Sequence, residues 1–319
     1  RVPADQAQVI WIARLADALA RVRPNNATDQ REALVLRLES AGITAAKPGA
    51  PNAAVTTALA NASPQLLNEA LADALKNNYA HAALALVNAL AARGDQTILM
   101  TADGKPAPLA DALNSPDRRV RFAALKAIVA LNPATPYPGS SRVPDALTWF
   151  AGSRGERQAM VAMPTNAGAT DLAGALNSHE LAAEATNRGR DLVDTARAMP
   201  DLELIIVDMD ILAPSIRQVL YELRTSPATG DVPIALLAAD GRLAAAKRLA
   251  TEHTRVLAVP RPHTAEAITS ILEHLTQLAA RTEVPAAERA AQAQQAAKWL
   301  SALSSGNRPF YTFRRGPVR

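Results

Sequence analysis

Two carboxylates, Asp208 and Asp210, follow the strongest strand-like run of the chain, Glu203-Leu204-Ile205-Ile206-Val207. A carboxylate at the carboxyl end of a buried parallel strand lies where open α/β sheets bind ligands. Such a group can hold a cation, and Asp210 and Asp240 could add ligands to an improvised metal site. The plainer reading makes Asp208 a strand-end residue that takes backbone hydrogen bonds. Other chemistry-bearing residues do not converge. The histidines His81, His179, His253, His263 and His274 have no partner at metal-ligand spacing and no serine nucleophile beside them. The chain has no cysteine, which removes disulfides, thiolate metal sites and cysteine nucleophiles. Gly230 and Gly241 are isolated, and Gly152-Ser153-Arg154-Gly155 precedes a strand rather than following one, so neither cradles phosphate. No nucleophile, base and metal set can be assembled. The expectation is a protein that is not an enzyme, with no catalytic residue, no metal and no cofactor.

The elements that must position Asp208 alternate between short apolar strands and helices. Strands are expected at Gln158–Met163, Glu180–Ala185, Glu203–Val207, Pro233–Leu237 and Thr254–Val259. Helices are expected at Thr170–Leu176, Gly189–Met199, Ser215–Leu223, Leu243–Glu252 and Thr264–Ala280. That order makes a doubly wound (βα)5 sheet. An alanine- and glutamine-rich helix, Pro285–Leu303, and a tail of aromatics and arginines, Arg308–Arg315, follow. Trp299 and Leu300 could dock that helix on the sheet domain or on a partner.

Everything before residue 132 has helical spacing. Helices are expected at Gln8–Arg23, Asp29–Leu38 (closed by Ser40-Ala41-Gly42), Asn52–Ala60 and Pro64–Leu75, with a linker around Lys47-Pro48-Gly49-Ala50-Pro51. Leu71-Ala72-Asp73-Ala74-Leu75 then recurs as Leu109-Ala110-Asp111-Ala112-Leu113. Each copy is followed by a second helix, His81–Leu90 and Phe122–Leu131. A helix pair recurring after about 40 residues marks a stacked array. In the second copy Ser115 or Asp117 can cap, Pro116 suits the first turn, and Val120, Ala123, Ala124 and Ala127 form a small-residue face. Asp117 and Arg121 are four apart and can pair along the helix or tie to a neighbouring repeat. The Pro-, Gly- and Ser-rich stretch from Asn132 to Gly155 reads as the boundary, with Leu147, Trp149 and Phe150 apolar enough to seal it. The division is 1–148 helical, 149–156 linker, 157–280 α/β, and 281–319 helix and tail.

Two resemblances follow from these residues. Leu113-Asn114-Ser115-Pro116-Asp117-Arg118-Arg119-Val120-Arg121-Phe122-Ala123-Ala124-Leu125 resembles a HEAT repeat, which implies packing roles for Asp117, Val120, Arg121 and Ala124. The segment Pro200 to Asp210, the helix ending Tyr221-Glu222-Leu223-Arg224, Thr229 to Ala239, and Arg261-Pro262 together resemble response-regulator receivers over residues 157–280. That resemblance implies a bacterial signalling setting and a phosphoacceptor at Asp208. It also implies departures. The family's metal-binding acidic pair falls on Met163-Pro164-Thr165-Asn166, its switch hydroxyl on Ala238, and its lysine and usually cis proline on Arg261 and Pro262. Phosphoryl transfer between two anions needs the metal, so a pseudo-receiver with a vestigial pocket of Asp208, Asp210, Ala238, Arg261 and Pro262 is preferred. The alternative is a receiver phosphorylated at Asp208 that regulates the helical region.

Composition bounds the rest. The 319 residues are 49% hydrophobic and 20% charged, with aromatics at 3% and a net charge of +4. That describes a globular chain long enough for two cores. The charge is scattered apart from Arg118-Arg119-Val120-Arg121 and Arg314, Arg315 and Arg319, which argues against nucleic acid as a partner. No run reaches the 18 or so apolar residues of a membrane span. The opening Arg1-Val2-Pro3 reads as an excised or processed start. The compartment stays open between cytoplasm, which is preferred, and cell envelope. The partner expected is another protein or a second copy.

Overall fold

The computed structural model describes residues 4–45, 53–101, 104–279, 284–305 and 310–312. The expected linker at 47–51 lies outside the described residues. So do Arg1 to Pro3 and, in the tail, Arg308, Pro309, Phe313, Arg314, Arg315 and Arg319. Contacts divide the chain into two units, 1–146 with 301–319, and 147–300.

The first unit is helical: α1 Ala4–Val22, α2 Ala27–Thr44, α3 Ala53–Asn61, α4 Pro64–Lys76, α5 Ala80–Arg93, α6 Pro108–Asp111 with a 3-10 turn Ala112–Asn114, and α7 Arg118–Leu131. α1 packs on α2, α4 on α5, and α6 with its 3-10 turn on α7. The second helices stack in turn, α2 on α5 and α5 on α7, while α4 meets α6. Among the described residues the result is three stacked helix pairs, the helices ahead of Leu71 adding a pair to the two marked by the recurring pentapeptide. Both copies of that pentapeptide bury their first and fourth positions, Leu71 with Ala74 and Leu109 with Ala112. Their aspartates also both take an arginine from another helix, Asp73 from Arg31 at 2.5 Å and Asp111 from Arg142 at 2.6 Å. The described part of the tail belongs to this unit, where buried Tyr137 and Tyr311 place their hydroxyls 3.3 Å apart.

Two local expectations are corrected, at Gly42 and at Pro116. α2 does not close at Gly42 but runs to Thr44. Gly42 is there because α5 crosses so closely that a Cβ would overlap the Cβ and Cγ of His81. Within the stretch read as the boundary, Arg142–Ala151 forms α8, with Val143, Leu147 and Phe150 buried at helical spacing. Pro116 precedes α7 rather than opening it, because Asp117 is the N-cap. Its carboxylate accepts from the N–H groups of Arg119 and Val120, and it pairs with Arg119 at 2.9 Å.

The second unit holds five parallel strands, β1 Gln158–Ala162, β2 Ala182–Thr186, β3 Leu202–Asp208, β4 Ile234–Ala238 and β5 Val256–Pro260, in the order β2-β1-β3-β4-β5. This is one of the common doubly wound arrangements. Its helices are α9 Asn166–Asn177, α10 Gly189–Ala198, α11 Ile216–Thr225, α12 Leu243–Thr251 and α13 Ala265–Leu278. Strand alternation sorts them into two layers. Met160, Ala162, Ile205, Val207, Ile234 and Leu236 face α10, α11 and α12. Ala159, Val161, Leu204, Ile206, Ala235 and Leu237 face α9 and α13. Both faces being buried explains why β3 and β4 read as continuous apolar runs. A last helix, α14 Ala286–Ser305, buries Arg289, Gln292, Ala293 and Ala296 along one face, while Trp299 and Leu300 are only half-buried. Arg289 pairs with Glu203 at 2.9 Å, and Arg157 meets the same carboxylate at 2.8 Å.

Candidate functional site

Asp208 is the last residue of β3 and lies opposite Leu237 of β4. β1 and β3 are neighbours in space separated by β2 and two helices in sequence, so the order of strands reverses beside Asp208. The carboxyl ends of strands at such a reversal are where doubly wound sheets take ligands. β4 ends at Ala238, whose carbonyl accepts from the Arg261 N–H at 3.1 Å, just after β5. That bond brings Arg261 to the same edge as Asp208.

The side chains then close on one another. Arg261 donates from Nε to Asp208 Oδ2 at 2.6 Å and from Nη2 to Asp208 Oδ1 at 2.9 Å. The same Nη2 donates to Asp210 Oδ2 at 2.8 Å, and the Asp210 N–H donates to Asp208 Oδ1 at 2.8 Å. Arg242 pairs with the other oxygen of Asp210. Asp208 is fully buried, whereas Arg261 keeps 31% of its side chain exposed. The hydrogen bond to Asp208 holds the guanidinium above its usual pKa, against the opposite pull of burial. Two carboxylates and two guanidiniums therefore balance in charge, and every oxygen of Asp208 has a donor. A buried carboxylate requires such partners.

The flanking loops are tied down as well. The Ile211 N–H donates to the Asp208 carbonyl at 3.1 Å, and the Gly189 N–H to the Leu212 carbonyl at 3.0 Å. After β1, Thr165 serves as the N-cap of α9, accepting from the Gly168 N–H at 3.2 Å. Among the described residues the one cis peptide is Ala213–Pro214, so Arg261–Pro262 is trans and the usual cis proline expected there is absent.

Asp208, Asp210, Ala238 and Arg261 thus meet at one sheet edge, with Pro262 next in the chain. Asp240 is exposed, and among the described residues no three His, Asp or Glu gather to hold a metal ion. Sequence reasoning missed Arg242, since Asp240-Gly241-Arg242 reads only as a turn. It also missed Asp201, buried before β3, which accepts from Ser153 Oγ at 2.7 Å and from the N–H groups of Arg154 and Gly155 at 2.7 and 3.0 Å. In the helical unit Val120, Arg121 and Ala124 are buried on α7, with Asp117 at its start. No described helix is long and apolar enough to cross a membrane.

No protein-family model matches the chain, and no curated protein does. A solved structure titled as the yeast Spc42 trimeric coiled coil, amino acids 181–211, fused to another structure is similar over 47% of this chain and 92% of its own. Identity is 15% and the TM-score 0.34, too low for the likeness to carry any argument.

Proposed function

We propose that the chain is a non-catalytic protein-interaction or scaffold module. In this reading the helix pairs are HEAT-like and the α/β unit is a receiver-like domain whose phosphoacceptor position has become a structural ion pair. The observation that carries it is Asp208: fully buried, with both oxygens engaged by Arg261. An acceptor carboxylate needs a free oxygen and a metal beside it to offset the incoming anion. Here a guanidinium takes the cation's place, and Met163-Pro164-Thr165-Asn166 after β1 offers no carboxylate. The residues present do not fit a magnesium site of the receiver kind. Ala238 has no hydroxyl to hold a phosphoryl oxygen, and Arg261 differs from lysine in reach and in its bidentate geometry.

The test is binding of magnesium with beryllium fluoride to the full chain, alongside an Asp208→Asn variant. No binding up to millimolar magnesium supports the reading. Saturable binding that disappears in the variant overturns it in favour of a receiver phosphorylated at Asp208.

A further inference from the structure

α1 is built inside out. Its fully buried residues are all alanines, Ala13, Ala16 and Ala20, set against Ala33 and Leu36 of α2, with Val9 half-buried beside them. Five larger apolar residues point elsewhere: Trp11 is 70% exposed, Ile12 37%, Leu15 52%, Leu19 41% and Val22 78%. At helical spacing these five fall within an arc about 100° wide, the width of a stripe that faces a core. Arg14 and Arg21 border the arc rather than interrupt it. Among the described residues, five of the eight exposed large hydrophobic side chains lie on this one helix, so the patch is not the ordinary scatter of a surface.

We infer that this face of α1 is a self-association surface, occupied by α1 of a second copy of the chain. The inference rests on reading the protein as an interaction module and names its partner. Two features select a second copy. The first is area. The five side chains expose on the order of 500 Å² of apolar surface, so two such faces together bury about 1,000 Å², the threshold for a specific interface. The second is self-complementarity. With a two-fold axis near Leu15, antiparallel helices set Trp11 of each copy against Leu19 of the other, and Leu15 against Leu15. One patch thereby satisfies itself, as an isologous interface requires. The stack of helix pairs points the same way. Within this chain the principal neighbour of α1 is α2, and a helix face in a stacked array has to be polar unless another layer covers it.

The absence of cysteine makes the test direct, because a single introduced thiol reports proximity. The full-length Leu15→Cys variant should form disulfide-linked dimers on mild oxidation, while Met100→Cys, also exposed, should not. Sedimentation should show wild type passing from monomer to dimer with concentration. Leu15→Glu should weaken that step about 100-fold or more, with its circular dichroism unchanged. A wild type that stays monomeric overturns the inference and leaves the beryllium fluoride result untouched. A dimer indifferent to Leu15→Glu, or equal cross-linking at both thiols, also overturns it, while keeping self-association through another surface.

Discussion

Arg261 grips Asp208 with two nitrogens, at 2.6 and 2.9 Å, and the second of these is shared with Asp210. The pair is asymmetric, with a carboxylate sealed from water and a guanidinium open on one side.

That asymmetry sets the cost of breaking it. Removing Arg261 strands a buried charge, an expense of several kcal/mol in a closed interior, reduced here because water can reach the vacated side. Arg261→Ala is expected to destabilise the α/β unit by about 2–3 kcal/mol. Asp208→Asn with Arg261→Ala should cost less than the two single changes together. Urea denaturation of all four proteins gives the coupling, and strict additivity would mean that the pair does not act as a unit.

Gly42 offers a contest between propensity and packing. Inside an exposed helix, glycine to alanine stabilises by about 0.5–1 kcal/mol. At Gly42 the new methyl would overlap the base of the His81 side chain, which cannot swing away as a flexible tip could. Overpacking of this kind costs about 1–3 kcal/mol, so packing wins. Gly42→Ala should lower the melting temperature, and a rise would show that α2 and α5 separate at little cost.

Beside that contact lies a group of opposed titrations. Glu39 of α2 accepts from the Ala82 N–H at 2.9 Å and so supplies the cap that Tyr79, the residue before α5, lacks. Burial raises its pKa above 4.5, against the pull of the Ala82 and His81 N–H groups. Burial lowers that of His81 below 6.5, helped by Arg119, while Asp117 opposes. A raised carboxyl contributes stability below 4.5 that is lost as pH climbs through its folded value. A depressed histidine contributes stability above 6.5 that is lost as pH falls through its folded value. Between those values the two act against each other. Relative to wild type from about pH 7.5 to pH 5, His81→Gln should gain stability on acidification and Glu39→Gln should lose it. Denaturation midpoints across that range decide the matter, and slopes of equal sign would refute the pairing.

The sheet was legible because its strands obey two rules at once. The central strands β1, β3 and β4 are apolar enough to be buried on both faces, and residues such as Ile205 and Ile206 divide cleanly between the two helical layers. The helical unit was harder to read, because alanine suits either side of a helix. α1 has the spacing of an ordinary amphipathic helix, yet the residues it buries fully are alanines, while Trp11, Leu15 and Leu19 stay exposed. Gly42 looked like a stop signal, since nothing local distinguishes a glycine that ends a helix from one that lets a neighbour approach. At the candidate site, Asp208 and Arg261 could be placed from the order of elements. The closure of the ring by Arg242, and the clamp of Asp201 on 153–155, depend on loop geometry that local spacing does not encode.

The helical unit is assembled from two stretches of chain, 1–146 and 301–319, with the whole α/β unit made between them. On a ribosome the order of manufacture is therefore not the order of completion. The sheet and its helices are finished once residue 300 has emerged, whereas Tyr137 must wait for Tyr311, synthesised more than half a chain later. Of these two units, the one begun first is the one completed last. Shortening the chain from its carboxyl end therefore harms the older half before the younger one.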